Sequence, residues 1–570
     1  MKFTLSWLLD HLDTEAGLDD IVERLPLLGL EVEGVENKGE ELAAFTVAYV
    51  KEAAAHPDAD RLKVCTVDTG AGEVQVVCGA PNARTGMKGV FAPVGSWIPG
   101  TEMELKSGVI RGVDSNGMLV SEREMGLSDE HTGIIEAPED ASVGAPFAKV
   151  MGLDDPVIDI AITPNRADCL GVRGVARDLA AAGLGRLKPL QKTEPLAGSF
   201  ESPVLWQRDL PKEKANACPF VAGRYFRGVT NGESPKWMQD RLRAIGLRPI
   251  SALVDITNYV SYDLGRPLHV FDAQKIAGNL TMRMASEGET IEALDERTYE
   301  LDAETVVIAD DKEVHGIGGI MGGEASGVTS ETTEVFLEVA LFDPVRIAAS
   351  GRRLGILSDA RYRFERGVDP TSAEWGAELA ARLILEICGG EASEAVSAGD
   401  VPDWRREITL RPARIAELGG LEVPQKQAAQ VLEELGFELS AGDGLLTAAV
   451  PPWRSDVEGE ADLVEEVLRI VGFDNIPVVP LDRETTLSQP AINPRQKREH
   501  LARTALAWCG MDEVVTFSFM SGEIAELFGG VADHLHLVNP ISSDLDVMRQ
   551  SILPNLLQAA GRNADRVFGD

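Results

Sequence analysis

The sequence predicts a multidomain chain of mixed α+β class, and three observations carry that reading. Its 570 residues far exceed one core, and at about 150 residues per domain they suggest roughly four. Strand-like alternation and helical periodicity give way to one another along the chain. Two polar, proline-containing stretches, 399–404 and 480–494, read as linkers between such blocks.

The elements follow in order. Residues 6–11 suit a short helix, and 25–32 form an apolar run. From about 45 to 127 the texture turns to short alternating segments, such as 61–67 and 73–77, separated by turns including Thr69-Gly70-Ala71-Gly72; this is the pattern of a small all-β barrel. A helix is expected at 174–182, after the loop 163–168. Residues 204–395 mix strands and helices in the largest block. Helices at 425–435 and 460–471 dominate the next, and a helix near 496–508 opens the last, which then turns to strands. No internal repeat or low-complexity tract is visible.

Composition narrows the function. With 54 basic and 92 acidic residues the net charge is −38. That argues against broad nucleic-acid binding, which needs Lys and Arg against phosphates, so any RNA contact must come from local basic patches. The six cysteines, Cys65, Cys78, Cys169, Cys218, Cys388 and Cys509, are scattered without metal spacing, as free thiols in a reducing cytosol would be. The N-terminal apolar run is too short for a secretion signal, and no stretch approaches the ~20 apolar residues of a membrane helix. A cytoplasmic protein without membrane contact is expected.

Five constellations could carry chemistry. The cluster Gly316-Ile317-Gly318-Gly319-Ile320-Met321-Gly322-Gly323 lacks the Lys-Ser/Thr of a phosphate loop, so its glycines permit close approach either of a packed strand or of a ligand. Period two puts Glu338 on the face of Phe336, Ala340 and Phe342, while Val335, Leu337, Val339 and Leu341 share the other. That is a central strand with one carboxylate inside it. A buried carboxylate needs a partner, either a nearby arginine or the hydroxyl of a ligand. His269, in Arg266-Pro267-Leu268-His269, suits a loop or helix start, where it could orient a water or ester or simply be satisfied in the core. Asp462, Glu465 and Glu466 share a helical face, with Asp456 just before it. Four such oxygens suit Mg²⁺, yet a Ser455–Glu458 capping box and the helix dipole explain them too, and spacing alone favours the latter. Arg346, Arg352, Arg353, Arg361, Arg363 and Arg366 could grip phosphates or pair with the interleaved Asp359, Glu365 and Asp369.

Read in order, several stretches resemble the bacterial phenylalanyl-tRNA synthetase beta subunit, cut short at its C-terminal end. They are His56-Pro57-Asp58-Ala59-Asp60-Arg61-Leu62, Val77-Cys78-Gly79-Ala80-Pro81-Asn82, Thr163-Pro164-Asn165-Arg166-Ala167-Asp168-Cys169-Leu170, Val254-Asp255-Ile256-Thr257-Asn258-Tyr259-Val260, Arg363-Phe364-Glu365-Arg366-Gly367-Val368-Asp369-Pro370, Ala461-Asp462-Leu463-Val464-Glu465-Glu466 and Val538-Asn539-Pro540-Ile541-Ser542-Ser543. The first two alone would also fit a free-standing tRNA-binding protein. The resemblance implies an N-terminal α+β domain (1–39 plus 151–203), an OB-fold β-barrel that binds tRNA (40–150) and a mixed α/β editing domain (204–398). Beyond these it implies a winged-helix-like domain (402–478) and the start of a class II synthetase-like antiparallel sheet domain (485–570), which is not catalytic.

The same resemblance implies a heterotetramer of two alpha and two beta subunits, with ATP a substrate of the complex and Mg²⁺ shared with alpha at Asp456, Asp462, Glu465 and Glu466. It implies binding of tRNA(Phe) and hydrolysis of mischarged tyrosyl-tRNA(Phe). His269, Glu338, Thr257, Asn258, Ser358 and Ala360 fall on editing-pocket positions. Gly316 stands where the family often has alanine and Ser358 where it often has threonine, changes that enlarge the pocket. His315, next to the glycine cluster, is unexpected and has no assigned role. The alternative function is a tRNA-binding scaffold subunit without proofreading.

Overall fold

A computed structural model describes residues 1–191, 193–481 and 490–566. It divides into two units, Met1–Pro477 and Val478–Asp570. Residues 485–489 and 567–570 of the last expected domain, and 482–489 of the second linker, lie outside the described residues.

Strands Lys2–Thr4, Val157–Ala161 and Glu31–Glu36 form one sheet, so the chain before the barrel and the chain after it share a core. Thr4 caps helix Leu5–His11 by accepting from Trp7 N–H. The Trp7 ring is fully buried, stacks on Tyr259 at 5.3 Å and donates from Nε1 to Asp263 (2.7 Å). Part of the apolar run expected at 25–32 lies in a helix, Leu18–Leu27. Only Ile21 and Leu25 of that helix are buried, a stripe one turn apart that a count of consecutive apolar residues does not register.

Between residues 46 and 119 a five-stranded antiparallel sheet forms in the order Met118–Leu119, Lys88–Ala92, Thr46–His56, Ala59–Asp68, Glu73–Cys78. Its two edges approach each other. Asn116 N–H donates to Gln75 O (2.9 Å) and Val77 N–H to Ser115 Oγ (3.1 Å), removing the open edges of a sheet.

Two sheets build the block after residue 204. One runs His269–Asp272, Glu334–Ala340, Phe220–Arg227, with Glu391–Ala392 and Val396–Gly399 both paired to the last. The other runs Trp206–Asp209, Leu280–Met284, Val306–Ala309, Val314–Ile317, Met321–Gly322. Strand Glu334–Ala340 lies between two cores as its period predicts. Phe336, Ala340 and Phe342 join one cluster, while Val335, Leu337, Val339 and Leu341 join the other with helices Ala252–Leu264 and Ser372–Cys388.

A three-stranded sheet (Glu407–Leu410, Leu445–Ala449, Glu438–Gly442) packs with helices Pro412–Gly419, Gln425–Glu434 and Glu460–Val471, two of them where the periodicity places them. In the second unit helix Pro494–Trp508 precedes a two-stranded pairing of Phe519–Met520 with Val547–Met548. No helix of the described residues is long and apolar enough to cross a membrane.

Candidate active site

His269 opens a strand rather than a loop or helix. Its segment is held by antiparallel pairing to Glu334–Ala340, a partner some seventy residues away that local sequence cannot reveal, and the register sets His269 directly opposite Glu338. On the other flank Glu338 faces Gly223, where a Cβ would strike Leu337 O at 2.3 Å. The glutamate therefore has a side chain beside it on one side only.

These two residues look into a cavity of about 70 Å³ whose wall includes Gly316, Gly322, Ile308, Phe342, Ala360 and Phe364. That is several times the ~10–15 Å³ a single water needs. The glycine cluster forms a hairpin, Val314–Ile317 against Met321–Gly322, with Gly319 at φ +68° in its turn. Its glycines mostly admit side chains. Methyl groups added at Gly318 and Gly319 would lie 2.8 Å from the Phe342 ring, and one at Gly322 would lie 2.5 Å from His269 Cε1. Gly316 is the exception, because a Cβ there meets nothing closer than 3.7 Å.

Glu338 is 7% exposed and its carboxylate, among the described residues, has neither a hydrogen bond nor an ion pair. Burial pushes its carboxyl up to about 7, opposed by Arg266. Arg266 is itself fully buried, spends its guanidinium on Ala340 O and Ser372 Oγ, and stops short of pairing. An arginine partner is therefore not what holds Glu338. Burial, with a smaller contribution from His315, pushes His269 down to about 4, so the imidazole is neutral near pH 7. Its Nε2 is buried and has no hydrogen-bond partner among the described residues. A neutral imidazole and a carboxyl that titrates near 7 thus face one small apolar cavity, an arrangement suited to acid–base work or to recognising a hydroxyl.

The other expected pocket residues divide. Ala360 and Gly316 line the cavity. Ser358 does not. It caps helix Asp359–Phe364, accepting from Arg361 N–H (3.1 Å) and donating to Ile320 O (2.5 Å), and so ties the helix bearing Ala360 to the glycine hairpin. Thr257 and Asn258 sit half-buried on helix Ala252–Leu264 outside the cavity lining, with Thr257 Oγ1 donating to Val254 O (2.7 Å). Arg266 was not singled out from sequence, and Gly322 was marked only as one member of the glycine cluster, without its place beside His269. Only the cross-strand register brings them to the site, and no local spacing could have found them.

The acidic cluster meets protein partners instead of a cavity. Glu466 is buried between Arg454 and Arg469 (2.6 Å to Arg469), with both of its oxygens engaged. Both oxygens of Asp456 accept from Arg454 at 2.8 Å. Asp462 Oδ2 accepts from Glu458 and Gly459 N–H, so the cap of helix Glu460–Val471 is Gly459 with Asp462, not Ser455 with Glu458. Only Asp462 and Glu465 keep a carboxylate oxygen without such a partner among the described residues. The donors do not fit a Mg²⁺ site held by all four, because guanidinium groups already neutralise two of them. Among the described residues, the grouping with metal-like geometry is Asp168, Cys169 and Asp178, and Arg166 and Arg469 pair with its acids.

This network, from Asp168 through Arg166, Asp178 and Arg469 to Glu466, joins helix Val172–Ala181 to helix Glu460–Val471. Burial opposes ionisation of Glu466, yet Arg469 and Arg454 hold its carboxyl well below the usual range. The stability it supplies is therefore present above its unfolded pKa of about 4.5 and is lost as pH falls below that. Arg469→Ala, which takes one of two arginines from each of Asp178 and Glu466, is expected to cost about 3 kcal/mol at pH 7, read from urea unfolding.

The arginine-rich stretch is ion-paired. Arg346 meets Glu304, Arg353 meets Asp302, Arg361 and Arg366 meet Glu365, and Arg363 meets Asp359. Arg352 alone of the six has no ion pair among the described residues, so this is not a free phosphate-gripping patch.

Known families match four stretches of the chain. A tRNA binding domain model covers residues 45–146, the B3/4 domain 217–389, the tRNA synthetase B5 domain 408–473 and the phenylalanyl tRNA synthetase beta chain CLM domain 476–570. The phenylalanine–tRNA ligase beta subunit of Paramagnetospirillum magneticum is 55% identical over 571 residues, spanning 100% of this chain and 71% of its own length. That of Rhodospirillum rubrum is 56% identical over 572 residues with the same coverage. Among solved structures, an N-terminal fragment of the phenylalanyl-tRNA synthetase beta subunit from Pyrococcus horikoshii aligns over 56% of this chain and 88% of its own at 18% identity, with a TM-score of 0.31.

Proposed function

The chain belongs to the phenylalanine–tRNA ligase beta-subunit family, and from that premise we propose that its cavity at His269 and Glu338 hydrolyses tyrosine mistakenly esterified to tRNA(Phe). The observation that carries this reading is a buried carboxylate, without a protein partner among the described residues, that shares a small apolar cavity with a neutral histidine. The phenol of tyrosine donates to Glu338, whereas phenylalanine leaves that carboxylate dehydrated and unpaired, a design that discriminates by about 10⁴-fold. His269 holds water or the ester through its unpartnered Nε2, and water attacks the ester carbonyl, releasing tyrosine and the ribose hydroxyl.

The remaining assignments rest on the family. The cytoplasmic chain acts with a catalytic alpha subunit, two of each, that uses ATP. The region 40–150, with its edges drawn together, is an OB-fold barrel that binds tRNA. In its favour, Arg61, Lys106 and Arg123 are exposed and hold no ion pair among the described residues, and Trp97 is 58% exposed, available for stacking. Region 402–478 is winged-helix-like, and the last block begins a class II-like sheet.

The test is deacylation of tyrosyl- and phenylalanyl-tRNA(Phe) by the chain combined with its alpha partner. Selective loss of the tyrosyl ester supports the reading. No hydrolysis alongside normal tRNA binding leaves a scaffold subunit. Gly316→Ala provides a finer check. The methyl has room, so stability should change by less than about 1 kcal/mol. Tyrosyl esters carrying an extra ring substituent should be hydrolysed about tenfold more slowly than by wild type, since one methyl of pocket space is worth that much.

A further inference from the structure

His315 lies on no wall of the cavity, yet it is fully buried beside it. Strand Val306–Ala309 pairs with Val314–Ile317 so that Ile308 faces Gly316 while Ala309 faces Val314. His315 is therefore the extra residue of a β-bulge, a feature that resets which face the following side chains occupy. Its ring points to the hairpin turn, where Nε2 lies 2.8 Å from Asp310 Oδ2, and the Asp310 side chain is 1% exposed. Asp310 is itself pinned by the N–H groups of Ala277, Lys312 and Glu313 (2.7–2.9 Å). On the other side, His315 O accepts from Gly323 N–H at 2.8 Å. Among the described residues neither ring nitrogen makes an aligned hydrogen bond, so the close approach of Nε2 to the Asp310 carboxylate is the polar contact that holds the ring in place.

The consequence lies one residue away. Gly316 pairs with Gly322 and Ile317 with Met321, and Gly322 is the position directly beneath the His269 imidazole. Even a methyl at Gly322 would come within 2.5 Å of that ring. Because strand side chains alternate, a slip of one residue would bring Met321 or Gly323 to that place and turn the neighbours inside out.

We propose that His315 is a positioning residue, the bulge residue clamped to Asp310 that fixes the register of Gly316 and Gly322 against His269 and so sets the shape of the cavity. This rests on the cavity being the site of tyrosyl-ester hydrolysis. The geometry identifies His315 as the link between a hairpin turn and the floor of the pocket. Removing the clamp should spoil the fit of the substrate ring more than it spoils the fold, because the surrounding strands keep their other pairings.

The experiment uses the chain with its alpha partner and compares wild type, His315→Leu, Asp310→Asn and His315→Gln, whose amide can still reach Asp310. Steady-state kcat and KM are measured on tyrosyl- and phenylalanyl-tRNA(Phe), with hydrogen exchange of the peptide 314–323 measured in parallel. His315→Leu and Asp310→Asn should lower the tyrosyl preference by about tenfold or more, chiefly through KM, as sub-ångström misplacement does. Exchange at 314–323 should quicken in both, and His315→Gln should recover part of each loss. Wild-type preference and wild-type exchange in His315→Leu would overturn the inference while leaving the hydrolytic reading intact. Should His315→Leu fail to fold, Asp310→Asn and His315→Gln decide by the same two readouts. A wild type inert toward both esters would overturn the reading of the pocket, and the exchange data would still show whether His315 holds the register.

Discussion

Glu338→Ala is expected to erase the tyrosine preference, bringing the hydrolysis of tyrosyl- and phenylalanyl-tRNA(Phe) to within about tenfold of each other from a starting ratio near 10⁴. The loss is in recognition, so it should fall mainly on kcat/KM for the tyrosyl ester and spare the phenylalanyl one. A pH series adds a second dimension. Glu338 is held up to about 7 by burial, so its charged, better-accepting form fills in between pH 6 and 8. The wild-type preference should therefore climb over that interval, and in Glu338→Ala it should be flat. Stability moves the other way. The unfolded carboxyl ionises near 4.5 and the folded one near 7, so burying it costs nothing below pH 4.5, increasingly more up to 7, and on the order of 3 kcal/mol above that. Glu338→Gln should accordingly raise the unfolding midpoint at pH 8 and leave it unchanged at pH 4. A glutamine variant no more stable at pH 8 would mean that Glu338 has a partner in solution.

His269→Ala is expected to slow tyrosyl-ester hydrolysis by about 10²-fold at pH 7.5 while leaving the tyrosine preference largely in place, the opposite division from Glu338→Ala. With its imidazole pushed down to about 4, His269 keeps its lone pair throughout the range where a free histidine would protonate. The turnover of wild type at saturating tyrosyl-tRNA should thus show no inflection near 6.5. An inflection there that survives in Glu338→Ala, and so does not come from the carboxyl near 7, would place an exposed, ordinary histidine at the site. In folding terms the same shift works against the native state in acid. Stability from the buried neutral ring is complete above its unfolded value of about 6.5 and falls away as pH drops toward 4.

How much of this was legible beforehand differs from residue to residue. Strand 334–340 was, because both faces of a central strand are apolar and the lone Glu338 breaks the pattern. Helix 460–471 was as well, since its 3.6-residue stripe is long and regular. The strand at His269 was not, being four residues long and stabilised by a partner far away in the chain. The acidic cluster misled for a related reason. Spacing placed carboxylates near one another, but it could not show that Arg454 and Arg469 would fold between them, nor that Asp462 would turn back to cap its own helix.

By itself, then, the sequence determined the class, the order of the blocks, the family, and the two residues most worth testing, all of which depend on local periodicity or on unbroken motifs. The tertiary structure alone decided that His269 sits opposite Glu338, that no arginine of the described residues reaches that carboxylate, that Gly322 must stay bare beneath the imidazole, and that His315 is a bulge residue held against Asp310. Each of these is a matter of register between strands distant in sequence, and register is set by the packing of whole faces against a shared core, which no single segment encodes.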